Sequence, residues 1–376
     1  MQSATTLQNA WAKPAIASAL PILTLVLVVV FMQARSSFYI NANSDPAYLY
    51  LNNSLNIAQG KWAKHVDNPG STTQIVGGIT IKALTLIKGA NDVEREVLLN
   101  PEYYLEAINL VLVAMNLLAI FLLGFFALKW TGKWWVAVLL QCAPFASWQT
   151  LRVFVKVSPE PLSFFAAILL TIFLLRIAVK NDLTEKPLFY TIWFSIIAGF
   201  GLATKLTFIP LLFIPFILLP RLKWKGAFCV GTIAAFHIFI FPAYRHYDYL
   251  FGWVRDIFVH SGHYGNGAAN FIDLGAFFSH FKQLLLLHHS FFAMVFTGAG
   301  LLIFLFQKHR SLKYFSTNIY LKLLGALTVA MLVHLLIISK HYNPHYLVPS
   351  FTLLPFLVYV LVCVWKKERE HFPTFK

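Results

Sequence analysis

The chain has 376 residues and a net charge of +15, yet 58% of it is apolar and only 12% is charged. A soluble domain of this size needs a charged surface that such a composition does not supply. The basic excess would suggest nucleic acid in a soluble protein, but here it falls in short loops between apolar runs, where it orients a membrane protein.

The apolar runs match the thickness of a bilayer. In chain order the expected spans are Pro14–Met32, Tyr104–Leu128, Trp134–Leu151, Pro161–Val179, Leu188–Ala203, Leu206–Leu219, Gly226–Ala243, Ser290–Phe306, Tyr320–Ile338 and Leu347–Trp365. The first is uncharged and has no small-residue cleavage site, so it reads as a retained helix. Leu188 to Leu219 would measure about 48 Å as one helix at 1.5 Å per residue, so two short helices with Lys205 at their turn fit better. Two long polar loops remain, 33–103 and 244–289. In the first, Gln74 to Ile87 reads as an interfacial helix. The fold expected is an all-α polytopic membrane protein of about ten transmembrane helices, a single membrane domain covering 1–376.

Loop charge sets the expected orientation. With a cytoplasmic N-terminus, the cytoplasmic segments hold 17 of the 30 basic residues and four of the 15 acidic ones. That distribution obeys the positive-inside rule. It implies a multi-pass protein of the cell (inner) membrane with both termini cytoplasmic. Cys142, Cys229 and Cys363 all lie in apolar runs and suggest neither disulfides nor metal.

The unusual polar residues then converge on the outer face. They include Asp45, Asp67, Arg152, Lys156, Glu160, Lys205, His260, His263, Tyr264, Lys340 and His345. Carboxylates could deprotonate an acceptor hydroxyl, and cations could hold a leaving lipid phosphate. Both roles meet in sugar transfer from a polyprenyl-phosphate carrier. His260-x-x-His263 has a spacing that could place two metal ligands on one helical face. A glycine lies between them in a loop-like composition, so no metal ligand is assigned, and a divalent cation is the one cofactor left open.

The arrangement resembles the GT-C class of membrane glycosyltransferases, the superfamily of protein O-mannosyltransferases and aminoarabinose transferases. Asp45-Pro46-Ala47-Tyr48 resembles the acidic start of a short helix after the first span. Asn68-Pro69-Gly70 followed by Gln74 resembles the Pro-containing patch before a second interfacial helix. Gly199-Phe200-Gly201-Leu202-Ala203-Thr204-Lys205 resembles the small-residue stretch ending in Thr-Lys. Lys340 through Pro349 resembles the late motif in which a basic residue precedes Tyr-Leu-x-Pro. Two departures stand out: Asp45 lacks an acidic neighbour, and no soluble C-terminal domain follows.

The resemblance implies an inverting transfer to a hydroxyl on a lipid, glycan or protein, with Asp45 as general base and Glu160 as a second carboxylate. Lys205, Lys340, His345 and Arg152 would contact donor phosphate. Asp67, His260, His263 and Tyr264 would shape the substrate site. Each residue also has a plainer explanation: helix cap for Asp45 and Glu160, turn former for Asp67, snorkelling cation for Lys205. Other functional classes fit the same spans. A lipid-glycan flippase or transporter would carry charges at mid-depth. A polysaccharide polymerase or ligase would act on a diphosphate-linked glycan.

Overall fold

The computed structural model describes residues 3–40, 47–67, 69–260, 267–270 and 272–370. Asp45, Asn68, His263 and Tyr264 lie outside them. The described residues are helical and form no strand; one isolated bridge pairs His260 with Ala269.

Eight segments are long and apolar enough to cross a membrane. They belong to α1 (Ser3–Ala34), α5 (Pro101–Thr131), α8 (Glu160–Lys180), α9 (Pro187–Thr204), α11 (Leu222–Ile240) continuing into α12 (Tyr247–Val259), α14 (His289–His309), α16 (Ile319–Lys340) and α17 (Val348–Glu370). The chain is therefore an all-α polytopic membrane protein. Helices satisfy every backbone donor and acceptor within the segment, which a hydrocarbon phase demands. α8 and α17 run through the middle, with 72% and 78% of their most apolar windows buried. α1 lies at the edge, where only 22% is buried. Its outer face shows Ile22, Leu23, Val26 and Val30. Water would reject such a face, while lipid tails solvate it.

Two expected spans are not continuous helices. Trp134–Leu151 divides into α6 (Trp134–Gln141), a 3-10 turn at Ala143–Phe145 and α7 (Trp148–Arg152). Pro144 lacks an N–H, and Ser147 starts a new helix by accepting from the Gln149 amide at 3.2 Å. Leu206–Leu219 divides into a 3-10 stretch at Leu206–Leu212 and the six-residue α10 (Phe213–Leu218). Pro210 and Pro215 remove two backbone donors from that run. Mean apolarity does not register these losses.

Contacts divide the bundle into two ends. Residues 35–38, 149–160 and 343–345 meet around one cavity. Residues 130–135, Val179, Tyr320 and 359–366 meet at the other end. α9 and α11 run in the same direction, because Ser195 bonds the Phe228 carbonyl at 3.2 Å while Gly199 abuts Ala235. The broken segment 206–218 thus carries the chain back between them.

The first long loop holds α2 (Ala47–Ala58), α3 (Ser71–Lys88) and α4 (Val93–Leu99). α3 buries Ser71, Thr72, Thr73, Gln74, Gly77 and Gly78 and exposes Ile79, Leu86 and Ile87. A helix with its polar face inward and its apolar face outward suits a lipid interface. The second loop holds α12 and α13 (Leu274–Leu287). Both leave large apolar side chains exposed, among them Phe251, Phe258, Phe278 and Leu286. The remaining element, α15 (Leu312–Thr317), joins α14 to α16.

Candidate functional site

The site begins with the turn at Pro159-Glu160. Pro159 caps α8 and Glu160 is its first residue. The preceding segment is held from two sides. Asn109 of α5 donates to the carbonyls of Phe154 at 2.9 Å and Lys156 at 3.3 Å. Thr73 of α3 donates to the Ser158 carbonyl at 3.2 Å. Asn109 and Thr73 are fully buried, so these bonds are made away from water, where leaving them unmade is costly.

Lys205 arrives from the end of α9. Its amide bonds the Gly201 carbonyl at 2.9 Å, and a side chain at Gly201 would collide with the Phe208 ring. The Pro69-Gly70 turn docks on this end. Gly70 has φ of +67°, its amide meets the Thr204 carbonyl at 3.1 Å, and the Thr72 and Thr204 hydroxyls lie 2.7 Å apart. The two loop motifs noted in the sequence are therefore in direct contact.

Lys205 is 1% exposed and forms an ion pair with Glu160, itself 4% exposed. His345, in the turn before α17, places Nε2 3.4 Å from the same carboxylate. The Lys205 ammonium also lies 4.7 Å from the centre of the Tyr346 ring. Two desolvated charges persist in a protein interior only when paired and bonded in this way. Glu160 is paired with the Lys205 ammonium and faced by the His345 ring, and is poorly placed to act as a free base.

Beside this pair opens a polar cavity of about 320 Å³. Arg35, Arg152, Lys156, Glu160, Asn343 and His345 line it. Lys156 and Arg152 lie close enough to act electrostatically on His345. Arg35 bonds Glu106 at 2.7 Å and stacks on Phe38 at 3.8 Å. A polar pocket with this balance of charge suits an anion.

Tyr346, next in sequence to His345, lines a separate apolar groove of about 370 Å³. Leu206, Ile209, Trp253, Ile257, Phe258 and Ile338 form its walls. Lys340 and His341 stand at its edge. Lys340 donates to the Phe258 carbonyl at 2.6 Å, and a ring nitrogen of His341 lies 2.9 Å from the Ile257 carbonyl.

The structure thus gathers Glu160, His345 and Arg152 around one cavity, with Lys205 buried behind them on Glu160, while Lys340 belongs to the groove. Asp67 bonds the Tyr249 hydroxyl, and His260 sits 3.9 Å from Asp256; neither lines the two cavities. Asp45 falls outside the described residues, although Ala47, two positions on, lines the polar cavity.

Two residues were not singled out from the sequence. Arg35 is a basic residue at the site end of the first span, which runs against the charge bias and was the available signal. Glu102, at the start of α5, accepts from the amides of Phe38 at 3.0 Å and Tyr39 at 3.1 Å and from the Tyr48 hydroxyl at 2.8 Å. It fastens both ends of the loop that carries Asp45. Burial and the Glu102 carboxylate push the Tyr48 hydroxyl up to about 12, so it stays a donor at neutral pH. Among the described residues no group of three or more His, Cys, Asp or Glu side chains is placed to hold a metal ion. Comparison with protein-family models, curated proteins and solved structures gives no match for this chain.

Proposed function

We propose that the chain is an inverting membrane glycosyltransferase that moves a sugar from a polyprenyl-phosphate carrier to a hydroxyl acceptor. One observation carries the reading. A cationic cavity lined by Glu160 and His345 and an apolar groove lined by Tyr346 are linked through Lys205, which pairs with Glu160 and lies 4.7 Å from the centre of the Tyr346 ring. A lipid-linked sugar has this dual character, with an apolar tail and an anionic head.

In the reaction, Asp45 takes the proton of the acceptor hydroxyl. The hydroxyl oxygen forms a bond to the anomeric carbon on the face opposite the phosphate. The bond between that carbon and the phosphate oxygen breaks, and the electron pair leaves with the phosphate. Lys205, with Arg152 and His345, stabilises that charge as it develops. Glu160 is a positioning residue that holds Lys205 and His345. The site faces the outer side of the cell membrane, with both termini cytoplasmic, as the loop charges favour.

The test supplies native membranes containing the chain with monophosphate- and diphosphate-linked donors and follows release of the carrier phosphate. Turnover of the monophosphate donor, lost in Asp45→Asn, is expected. Turnover of the diphosphate donor alone would favour a polymerase or ligase. Movement of the intact donor across the bilayer, without bond cleavage, would favour a flippase.

A further inference from the structure

The opposite end of the bundle holds a third cavity, of about 220 Å³, that the sugar-transfer scheme does not use. Five helices contribute to it: the end of α5, the start of α6, the end of α8, the start of α16 and the last turns of α17. Lys133 and Lys366 stand at its edge, both exposed. Lys366 lies 5.5 Å from the centre of the Trp135 ring, and among the described residues neither lysine makes a salt bridge. Both are close enough to act electrostatically on the Cys363 thiol, so they converge on one point.

Four aromatic residues, Trp130, Trp135, Tyr320 and Tyr359, share the lining with Val179 and Val362, and the Trp135 and Tyr359 rings are 6.3 Å apart. Amphipathic rings of this kind settle at the headgroup level of a bilayer. α6 also begins here with no side-chain cap on its first turn, where the Val136 amide turns back to the Lys133 carbonyl at 3.2 Å. Lysines paired with carboxylates would need no ligand. These two instead face a cavity between helices, at headgroup depth, at the end of the molecule richest in basic residues.

We propose that this cavity binds the phosphodiester headgroup of an anionic phospholipid, with Lys133 and Lys366 contacting the phosphate and the indole and phenol rings packing on the glycerol region. Basic pockets between membrane helices capture anionic headgroups by this combination of charge and position. The site is independent of the sugar-transfer reading.

Cys363, lining the cavity, reports its occupancy. In a Cys142→Ser, Cys229→Ser background it is the one remaining thiol. The protein is placed in bilayers of phosphatidylcholine, with or without one quarter phosphatidylglycerol, and reacted with a neutral maleimide. Phosphatidylglycerol is expected to slow the reaction. Lys366→Gln should raise the phosphatidylglycerol fraction needed for half protection by about fivefold, the factor expected for one lysine near a membrane surface. Lys133→Gln with Lys366→Gln should abolish protection. Slowing that survives in the double variant would be a general surface-potential effect and would overturn the proposal, as would equal rates in the two bilayers. Equal protection by inorganic phosphate in neutral bilayers would overturn the lipid assignment.

Discussion

The two ends of the bundle spend similar charges differently. At the end opposite the polar cavity, two ion clusters close on themselves, apart from the lysines of the third cavity. Asp182 accepts from Arg176 at 3.1 Å, has Lys186 at 3.6 Å and is bonded by the Tyr190 hydroxyl. Glu368 gathers Lys308 at 3.1 Å, His309 at 3.4 Å and the Tyr314 hydroxyl. At the site end, one buried acid, Glu160, is shared by Lys205 and His345, while Arg152 and Lys156 line the cavity beside it. Closed clusters fasten helices together. An end with more cations than anions around a cavity is arranged to receive an anion from outside.

Substitutions should separate the two behaviours. Asp45→Asn is expected to fold normally and to lower transfer by roughly 10²–10⁴-fold, the usual contribution of a general base, read as carrier phosphate released per unit of folded protein. Lys205→Met should strand Glu160 as a buried unpaired charge and destabilise the protein by about 3–5 kcal/mol, measured by thermal unfolding in detergent. Glu160→Gln combined with Lys205→Met should recover much of that stability without recovering activity. If the double variant regained full transfer, Lys205 would be structural and the phosphate would be bound elsewhere.

Glu102→Gln tests the fastening of the first loop. It should lower kcat by about tenfold, near 1.4 kcal/mol, with little change in unfolding temperature. At the opposite end, Asp182→Asn should cost about 1–3 kcal/mol of stability and leave transfer unchanged. Burial raises the pKa of this acid, but the Tyr190 hydroxyl, Arg176 and Lys186 outweigh it and hold the value below the ordinary 3.8. A carboxylate lowered in this way stabilises the fold above its unfolded pKa, and the contribution fades as pH falls through the folded value. Wild type and Asp182→Asn should therefore differ at neutral pH and converge in acid below about pH 4.

Much of this division was legible in the sequence, because apolar length and loop charge report directly on membrane crossing and sidedness. The positions of Lys205 at a turn and of Glu160 after Pro159 brought both to the same end. The break at Pro144 and the pair Pro210 and Pro215 were visible as letters, but a hydropathy sum carries no information on lost backbone donors. The pairing of Glu160 with Lys205 was not legible, since 45 residues separate them and two helices must pack before they meet. The same holds for Glu102, whose partners lie 54 to 64 residues away. Lys340 was grouped with the phosphate contacts by sidedness alone. Sidedness does not resolve a groove from a cavity when two adjacent residues, His345 and Tyr346, line one each.

The most direct measurement is an experimental structure of the protein with a polyprenyl-phosphate sugar bound. The phosphate is expected among Lys205, Arg152 and His345, with the tail in the groove between Leu206 and Phe258 and the sugar in the polar cavity. A donor whose own phosphate sits away from Lys205, Arg152 and His345, or whose tail avoids the groove, would contradict the account.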